Sequence, residues 1–371
     1  MLNDLSQLTQ KLVSIRSDYP NRDEYEMGDF LSSLLEEMGF KIELQYLDET
    51  KKRFNVFATR GSGAKAVLFY GHLDTVPLTD EELWTHKPFG GEIVRDHLFG
   101  LGSYDMKGGI AAFLYALQQQ KDSYVKVFFA FDEENISEGA WIAVQNKKEF
   151  FKDVAVVISP EPNFGLGINN IPTARPGRSV YKVELKAKGS HVAEYMQGKD
   201  AILDLASFIQ SFNETFHNKK KPFFISKYSF AMIRKIFSES VGITAPSEAL
   251  AEIEVYLDQS DSEEAFLQSV RSLTDAQVNV VPRKTPYLKA YRFQEFPYKE
   301  LLEKIINQHT GKNFTNYTYG AVGDDNVVAS LGVPVLTWGP DGGNAHVADE
   351  FVDLISLKHL SEMFGEFLRS L

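Results

Sequence analysis

The chain contains no cysteine. Disulfides are excluded, and so is any thiolate ligand, so a metal here must be held by histidine and carboxylate. The absence also fits a reducing compartment. Positive charge is short as well: 39 lysines and arginines stand against 51 aspartates and glutamates, a net charge of −12. That disfavours nucleic acid or an anionic membrane as partner, because both need a basic surface. No hydrophobic run approaches the roughly 18 apolar residues of a membrane span. The opening Met1-Leu-Asn-Asp-Leu-Ser6 has no basic segment leading into an apolar one. A cytoplasmic protein without a membrane partner is expected. There is no internal repeat and no low-complexity segment.

What is there is a globular composition, and 371 residues are more than one hydrophobic core usually serves, so two domains are expected. Leu5, Leu8, Leu12, Val13 and Ile15 share one face of a helix over residues 3–17. Met27, Phe30, Leu31, Leu34 and Leu35 stripe a second helix over 24–38, stopped by Gly39. Residues 41–46 and 55–59 alternate as strands. Ala66 to Tyr70 is a strand of buried type that stops at Gly71 and delivers His72 and Asp74 into a loop. The imidazole can be a metal ligand, with the carboxylate orienting it from behind. Alone, such a histidine is more often an ordinary loop or core residue than a ligand.

The same grammar recurs. The strand over 125–131 runs into Asp132-Glu133-Glu134, and the strand over 154–159 runs into Pro160-Glu161-Pro162, whose prolines fix the direction of Glu161. Asp105 stands at the start of a helix over 106–119, where the helix dipole favours an anion. Glycines 100, 102, 108 and 109 let backbone crowd around it; a plain N-cap is the competing reading. In open α/β sheets the ligand site lies beyond the carboxyl ends of the strands. His72 with Asp74, Glu133 with Glu134, and Glu161 would converge there.

From Pro176 the texture changes. Half-exposed strands over 179–188, 227–236 and 251–257 and amphipathic helices over 201–212 and 262–273 predict an antiparallel sheet backed by two helices. Residues 174–285 are therefore expected to be an inserted domain, with 1–173 and 286–371 forming the first. The first resumes with a helix over 298–309, a turn at Gly323-Asp-Asp-Asn326, a strand over 333–338, the loop to His346, and a last helix over 357–368.

Five residues at strand ends and loop starts, His72, Asp105, Glu134, Glu161 and His346, form a donor set. Two imidazoles and three carboxylates suit two zinc-like ions, or one zinc and one harder ion. With one carboxylate shared, each ion has three protein ligands and an open place for water, and the pair can polarise a carbonyl. Glu133, beside Glu134, is placed to serve as general base.

Five segments carry a resemblance: Gly71-His-Leu-Asp-Thr-Val-Pro77, Leu98-Phe-Gly-Leu-Gly-Ser-Tyr-Asp-Met-Lys-Gly-Gly109, Phe131-Asp-Glu-Glu134, Ser159-Pro-Glu161 and Asn344-Ala-His-Val-Ala-Asp-Glu350. In order and spacing, across nearly the whole chain, they resemble the clan MH metallopeptidase family that includes acetylornithine deacetylase, succinyl-diaminopimelate desuccinylase, aminoacylase and glutamate carboxypeptidase. The resemblance implies an α/β catalytic domain, its central mostly parallel sheet flanked by helices. It also implies an inserted α+β lid and dimerisation domain, a four-stranded antiparallel sheet with two helices. It implies two Zn²⁺ (or Co²⁺) per subunit. His72 and Glu161 would bind one ion, Glu134 and His346 the other, and Asp105 would bridge them, with a cis peptide to Met106. Asp74 would orient His72. Glu133 would be the general acid/base in attack by a metal-activated hydroxide on an amide carbonyl. His191, in Gly189-Ser-His191, matches a histidine that in relatives reaches a partner's active site and stabilises the oxyanion; a surface turn histidine is the competing reading.

The implied reaction is cleavage of the amide bond of an N-acyl-L-amino acid, of deacetylase or desuccinylase type. The alternative is a carboxypeptidase releasing the last residue of short peptides. Glu161 goes with those two groups, where an Asp would go with aminopeptidases and dipeptidases. One departure stands out: Tyr256 occupies the place where deacylases carry an arginine for the substrate carboxylate. That duty would pass to Arg175, Arg178 or Arg234, with Asn326 as an uncharged donor. A non-catalytic binding module on the same fold would lack a ligand or the base, and none is missing. A dimetal phosphoesterase would want basic residues near the cluster, where the sequence offers chiefly Lys107 and the arginines of the inserted domain. The expected partners are a small-molecule substrate and a second copy of the chain.

Overall fold

Apolar strands that are buried from end to end mark the middle of the main sheet. The structure, a computed structural model, describes residues 4–20, 24–47, 49–50, 52–240 and 242–371. The chain divides into two units, one of Met1–Thr173, Phe293–Tyr317 and Gly323–Leu371, the other of Ala174–Arg292 and Thr318–Val322.

The first unit is built on six strands: β1 (Lys41–Tyr46), β2 (Phe54–Arg60), β3 (Ala66–His72), β4 (Val125–Ala130), β5 (Val154–Ser159) and β6 (Val335–Thr337). Their order across the sheet is β1-β2-β4-β3-β5-β6. The β4/β3, β3/β5 and β5/β6 pairings are parallel, while β1/β2 and β2/β4 are antiparallel. The sheet is thus mixed, and its parallel half carries the acids and His72. Every residue of β3 and β4 is buried, as in sheets covered on both faces.

The main helices of this unit are α1 (Leu5–Ser14), α2 (Tyr25–Glu37), α3 (Gly108–Gln119), α4 (Glu138–Asn146), α5 (Lys299–Thr310), α6 (Asp324–Ala329) and α7 (Leu354–Arg369), with a single turn at Lys148–Phe151. Phe69 of β3 stacks on Phe113 of α3 and meets Phe364 of α7 edge-on, which seats those helices on one face. On the other face Phe128 stacks on Phe57 and meets Phe151 edge-on. The expected first helix is α1, capped by the Asp4 carboxylate accepting from Ser6 N–H; residue 3 lies outside the described residues. Among the described residues no helix is long and apolar enough to cross a membrane.

The second unit holds a four-stranded antiparallel sheet in the order Phe230–Ser238, Glu248–Leu257, Gly177–Lys186, Gln277–Val280. Helices Ala201–Phe216 and Glu263–Ser272 supply Phe208, Phe212, Phe216 and Phe266 to its core, against Val183 and Ile253. The last strand, four residues long with three of them exposed, alternates polar and apolar residues too briefly to announce itself.

Two local differences from the sequence expectation lie beside the acids. The strand before the first motif continues through Gly71, so His72 is its last residue, paired in register with Ala130, rather than a loop residue. Asp105 is not an N-cap. It lies in a tight turn over Ser103–Lys107 with extended backbone (φ −114°, ψ 93°) and a cis peptide to Met106, and α3 begins only at Gly108. The helix start is instead packed by glycine: a Cβ at Gly109 would fall inside the surface of the Pro160 carbonyl oxygen. Substituting Gly109→Ala should cost about 1–3 kcal/mol through overpacking. In urea unfolding the midpoint should fall with an unchanged slope.

Candidate metal centre

The parallel strands β4, β3, β5 and β6 end on one edge of the sheet, and the segments that follow them carry the chemistry. His72 ends β3, Glu133 and Glu134 follow β4, and Glu161 follows β5. The loop after β6 brings in His346.

Asp105 lies between the two imidazoles. Its Oδ1 is 3.3 Å from His72 Nε2 and its Oδ2 is 3.2 Å from His346 Nε2. Glu161 Oε1 stands 3.8 Å from His72 Nε2, and Glu134 Oε1 stands 3.2 Å from His346 Nε2. The donors fall into two groups, His72/Asp105/Glu161 and Asp105/Glu134/His346, each with ligand atoms within 4.8 Å of one another. Glu133 forms a further such group with His72 and Glu134.

The electrostatics follow from this crowding. Hydrogen bonds to Asp105 and Glu134 push the pKa of His346 up to about 11. Burial opposes charge on His72, but Asp105 and the carboxylates of Glu133, Glu161 and Asp74 overcome it and hold the pKa well above the usual imidazole range. Burial likewise raises Asp105, yet the two histidines outweigh it and keep the carboxyl well below the carboxylate range. Glu133 is pushed well up, by burial first and then by Glu161 and Glu134. Positive charge at the two Nε2 atoms is what these carboxylates favour, and metal ions compete with protons for such positions. The donor set, imidazole and carboxylate without thiolate, fits two zinc-class dications.

Ring orientation is set from behind. His72 Nδ1 lies 2.9 Å from the main-chain oxygen of Asp74 and 3.8 Å from its carboxylate. A carbonyl only accepts, so Nδ1 donates and Nε2 is left for the metal side. The Asp74 carboxylate accepts from the Glu133 and Glu134 N–H groups, at 3.1 and 3.0 Å, and ties the β3 end to the β4 end. Behind Glu133, the buried Asp132 accepts from Arg53 at 3.0 Å, and Arg53 also pairs with buried Glu24.

Glu350 is the residue to which sequence reasoning assigned no role. Its fully buried carboxylate accepts from Gly102 N–H at 2.8 Å and from Tyr104 and Asp105 N–H at 2.9 Å each. It thereby fastens the His346 loop to the turn that presents Asp105. The signal was present: an acid four residues past the candidate ligand His346, in the same motif segment. The His346 loop needs such anchors, because Asn344, His346 and Asp349 all adopt left-handed backbone (φ 56°, 67° and 57°). Asp349 adds its own, accepting from Thr85 N–H and His86 N–H.

Asn326 is buried at the first turn of α6, where its side-chain oxygen accepts from Gly323 N–H at 3.0 Å. The other expected substrate contacts belong to the second unit. There Arg178 and Arg234 both pair with Glu254, which also accepts from the Tyr256 hydroxyl at 2.8 Å. Their charge is already matched within that unit, which argues against either as a carboxylate clamp. Arg175 is buried with its guanidinium 4.5 Å from the centre of the Tyr319 ring. His191 is exposed, and its Nδ1 accepts from Ala193 N–H, so Nε2 carries the proton.

The sequence profile described as Peptidase family M20/M25/M40 matches residues 68–370. The succinyl-diaminopimelate desuccinylase of Ehrlichia chaffeensis is 25% identical over 380 residues, covering 98% of this chain and 96% of that protein. An M20 family metallo-carboxypeptidase of Sulfolobus solfataricus superposes with a TM-score of 0.77 at 15% identity, over 99% of this chain and 98% of that one. A tripeptidase of Staphylococcus aureus gives 0.75 at 18% identity, over 99% and 97%.

Replacing Glu350 by alanine removes the acceptor of three amides without touching a donor. Zinc affinity, read by calorimetric titration of chelator-treated protein, should fall roughly 10–100-fold, as for groups that orient metal ligands. The far-ultraviolet circular dichroism should stay as in the wild type. Unchanged affinity would deny Glu350 that role.

Proposed function

The chain belongs to peptidase family M20/M25/M40 and is a metal-dependent hydrolase, and we propose that it cleaves the amide bond of N-acyl-L-amino acids. The observation that carries the reading is the Asp105 carboxylate shared between two imidazoles, with Glu133 alongside. In this reading His72, Asp105 and Glu161 hold one Zn²⁺ (or Co²⁺), and Asp105, Glu134 and His346 hold a second. Bound there, the ions would supply Lewis acidity toward the scissile carbonyl and acidify the attacking water.

The chain's own residues do the rest. Asp74 keeps the His72 ring in place and holds the Glu133–Glu134 turn against it. Glu133 takes the proton from water and gives it to the departing amine nitrogen; the neighbouring acids Glu161 and Glu134 favour its proton-bound form. The desuccinylase relative supports an N-acyl amino acid as the substrate class. Arg175 is the remaining arginine candidate for the substrate carboxylate, with Asn326 as an uncharged donor.

A homodimer through the second unit completes the reading. Phe230–Ser238 is an edge strand, and Phe230, Met232, Ile236 and Phe237 on it are exposed. An uncovered apolar edge is a pairing surface. His191, with its proton on Nε2, would then serve as an oxyanion donor in the second copy's site.

Three measurements test these statements. Chelator-treated protein should lose hydrolysis of N-acetyl and N-succinyl amino acids and regain it with Zn²⁺ or Co²⁺. Turnover of short peptides from the carboxyl end, with acyl amino acids untouched, would move the assignment to a carboxypeptidase. Glu133→Gln should bind zinc with unchanged stoichiometry and lose about 10²–10⁴-fold in kcat; near wild-type turnover would unseat Glu133 as the base. The double substitution Ile236→Glu/Phe237→Glu should shift sedimentation from dimer to monomer, and a wild-type protein that sediments as a monomer would remove the dimer.

A further inference from the structure

Beyond His72 and His346 the chain has other histidines, and two of them meet on a different part of the first unit. His309 lies in the last turn of α5, and His359 lies on α7. Glu362 follows His359 by three residues, so both project from the same face of α7. One donor atom from each of His309, His359 and Glu362 lies within 4.8 Å of the others. Glu366, a further turn along α7, is 2.8 Å from His309 Nε2 and fixes that ring. The cluster borders a surface cavity of about 870 Å³ whose lining includes Tyr115, Lys358 and Arg369.

Two imidazoles and one carboxylate make up a familiar three-ligand set for zinc, with the fourth position left open. Bond lengths near ~2.0–2.1 Å put tetrahedral donors roughly 3.3–3.5 Å apart. The observed donors lie within 4.8 Å of one another, so closing to that spacing asks for no more than about 1.5 Å of side-chain movement. Glu362 is exposed and the two rings are only partly buried, so rotamer changes can supply it. A carboxylate behind a ligand histidine, as Glu366 stands behind His309, fixes the ring and raises its basicity. Lys358 Nζ, 3.9 Å from Glu362 Oε1, is the local positive charge that an ion would replace.

We propose that His309, His359 and Glu362 form a separate binding site for one zinc-class divalent cation, its open position facing the cavity. The ion would join the C-terminal end of α5 to the middle of α7. Because α7 shares the Phe69 contact with α3, the joint would brace the helical layer behind the Asp105 turn. Its effect is stabilisation of the folded chain by mass action. The proposal does not depend on what the enzyme hydrolyses.

The probe is Zn²⁺ alone, added to chelator-treated full-length protein and followed by calorimetry and by thermal melting. Wild type should bind one equivalent more than the His309→Ala/His359→Ala variant, and that variant should keep wild-type amide hydrolysis. On a His72→Ala/His346→Ala background, zinc should still bind in one equivalent and raise Tm. Adding His309→Ala/His359→Ala to that background should abolish both effects. Equal stoichiometry in wild type and His309→Ala/His359→Ala overturns the proposal. So does a zinc-induced rise in Tm that survives all four substitutions. Should the four-fold variant fail to fold, Glu362→Gln in the wild-type background carries the test: zinc affinity at the extra site must fall at least tenfold, and unchanged affinity overturns the assignment.

Discussion

The buried carboxylate of Glu350, accepting from three main-chain amides of one turn, is the constraint on which the centre rests. Asp105 can face two imidazoles only if its backbone is held in a turn that no regular element supplies. Hydrogen bonds to a charged acceptor are worth about 1.5–3 kcal/mol each in typical cases, but burying the charge costs several kcal/mol in return. Burial does push the pKa of Glu350 up, against the pull of those amides. The two effects oppose each other, and what the interaction secures is position. From the other side, the buried Lys107 donates to the Ile15 carbonyl at 2.8 Å, so the same turn is also tied to the end of the chain's first helix.

The legible part of this molecule was its grammar of strand ends. Ala66–His72, Val125–Ala130 and Val154–Ser159 are apolar throughout or nearly so, and each runs into an acid or a histidine. Parallel pairing then does what parallel pairing must: it sets all three ends on one edge. Composition removed the competing ligand chemistry, since no thiolate exists. The turn geometry around Asp105 was less legible. An acid on a glycine-rich approach to a helix looks like an N-cap from sequence, whereas the structure spends the glycines on close packing, Gly109 against Pro160 among them. Glu350 was visible as an acid inside the His346 motif, but its role was not, because its partners are main-chain amides that leave no side-chain pattern to match.

The second unit was legible in outline and opaque in detail. The amphipathic pattern over 201–212 announced a helix on a sheet, and the helix runs on to Phe216. The short strand Gln277–Val280 had too few inward-facing residues to show a period. Charge pairing was invisible too. Sequence supplies a list of arginines, but only the fold reveals that Glu254 draws Arg178 and Arg234 together and takes the Tyr256 hydroxyl as well. A carboxylate between two cations is a closed arrangement, so an arginine's presence on a strand is not evidence that its charge is on offer. The absence of an arginine at 256 and the presence of Glu254 belong together physically, because Tyr256 can donate to the carboxylate without adding a third positive charge.

His346 and Glu350 follow the second unit in the chain, which bears on the order in which the molecule comes into being. Chains emerge from the ribosome amino end first, and units fold as they become complete. His72, Asp105, Glu134 and Glu161 are all made before the second unit, and that unit, Ala174–Arg292 with Thr318–Val322, is finished before the loop after β6 appears. Until that loop arrives, the turn at Asp105 has no clamp and the carboxylates have one imidazole between them. A nascent chain therefore carries the Asp105 turn unclamped until residue 350 has emerged. The Asp105 turn gains its Glu350 clamp only after the segments before and after the second unit have met.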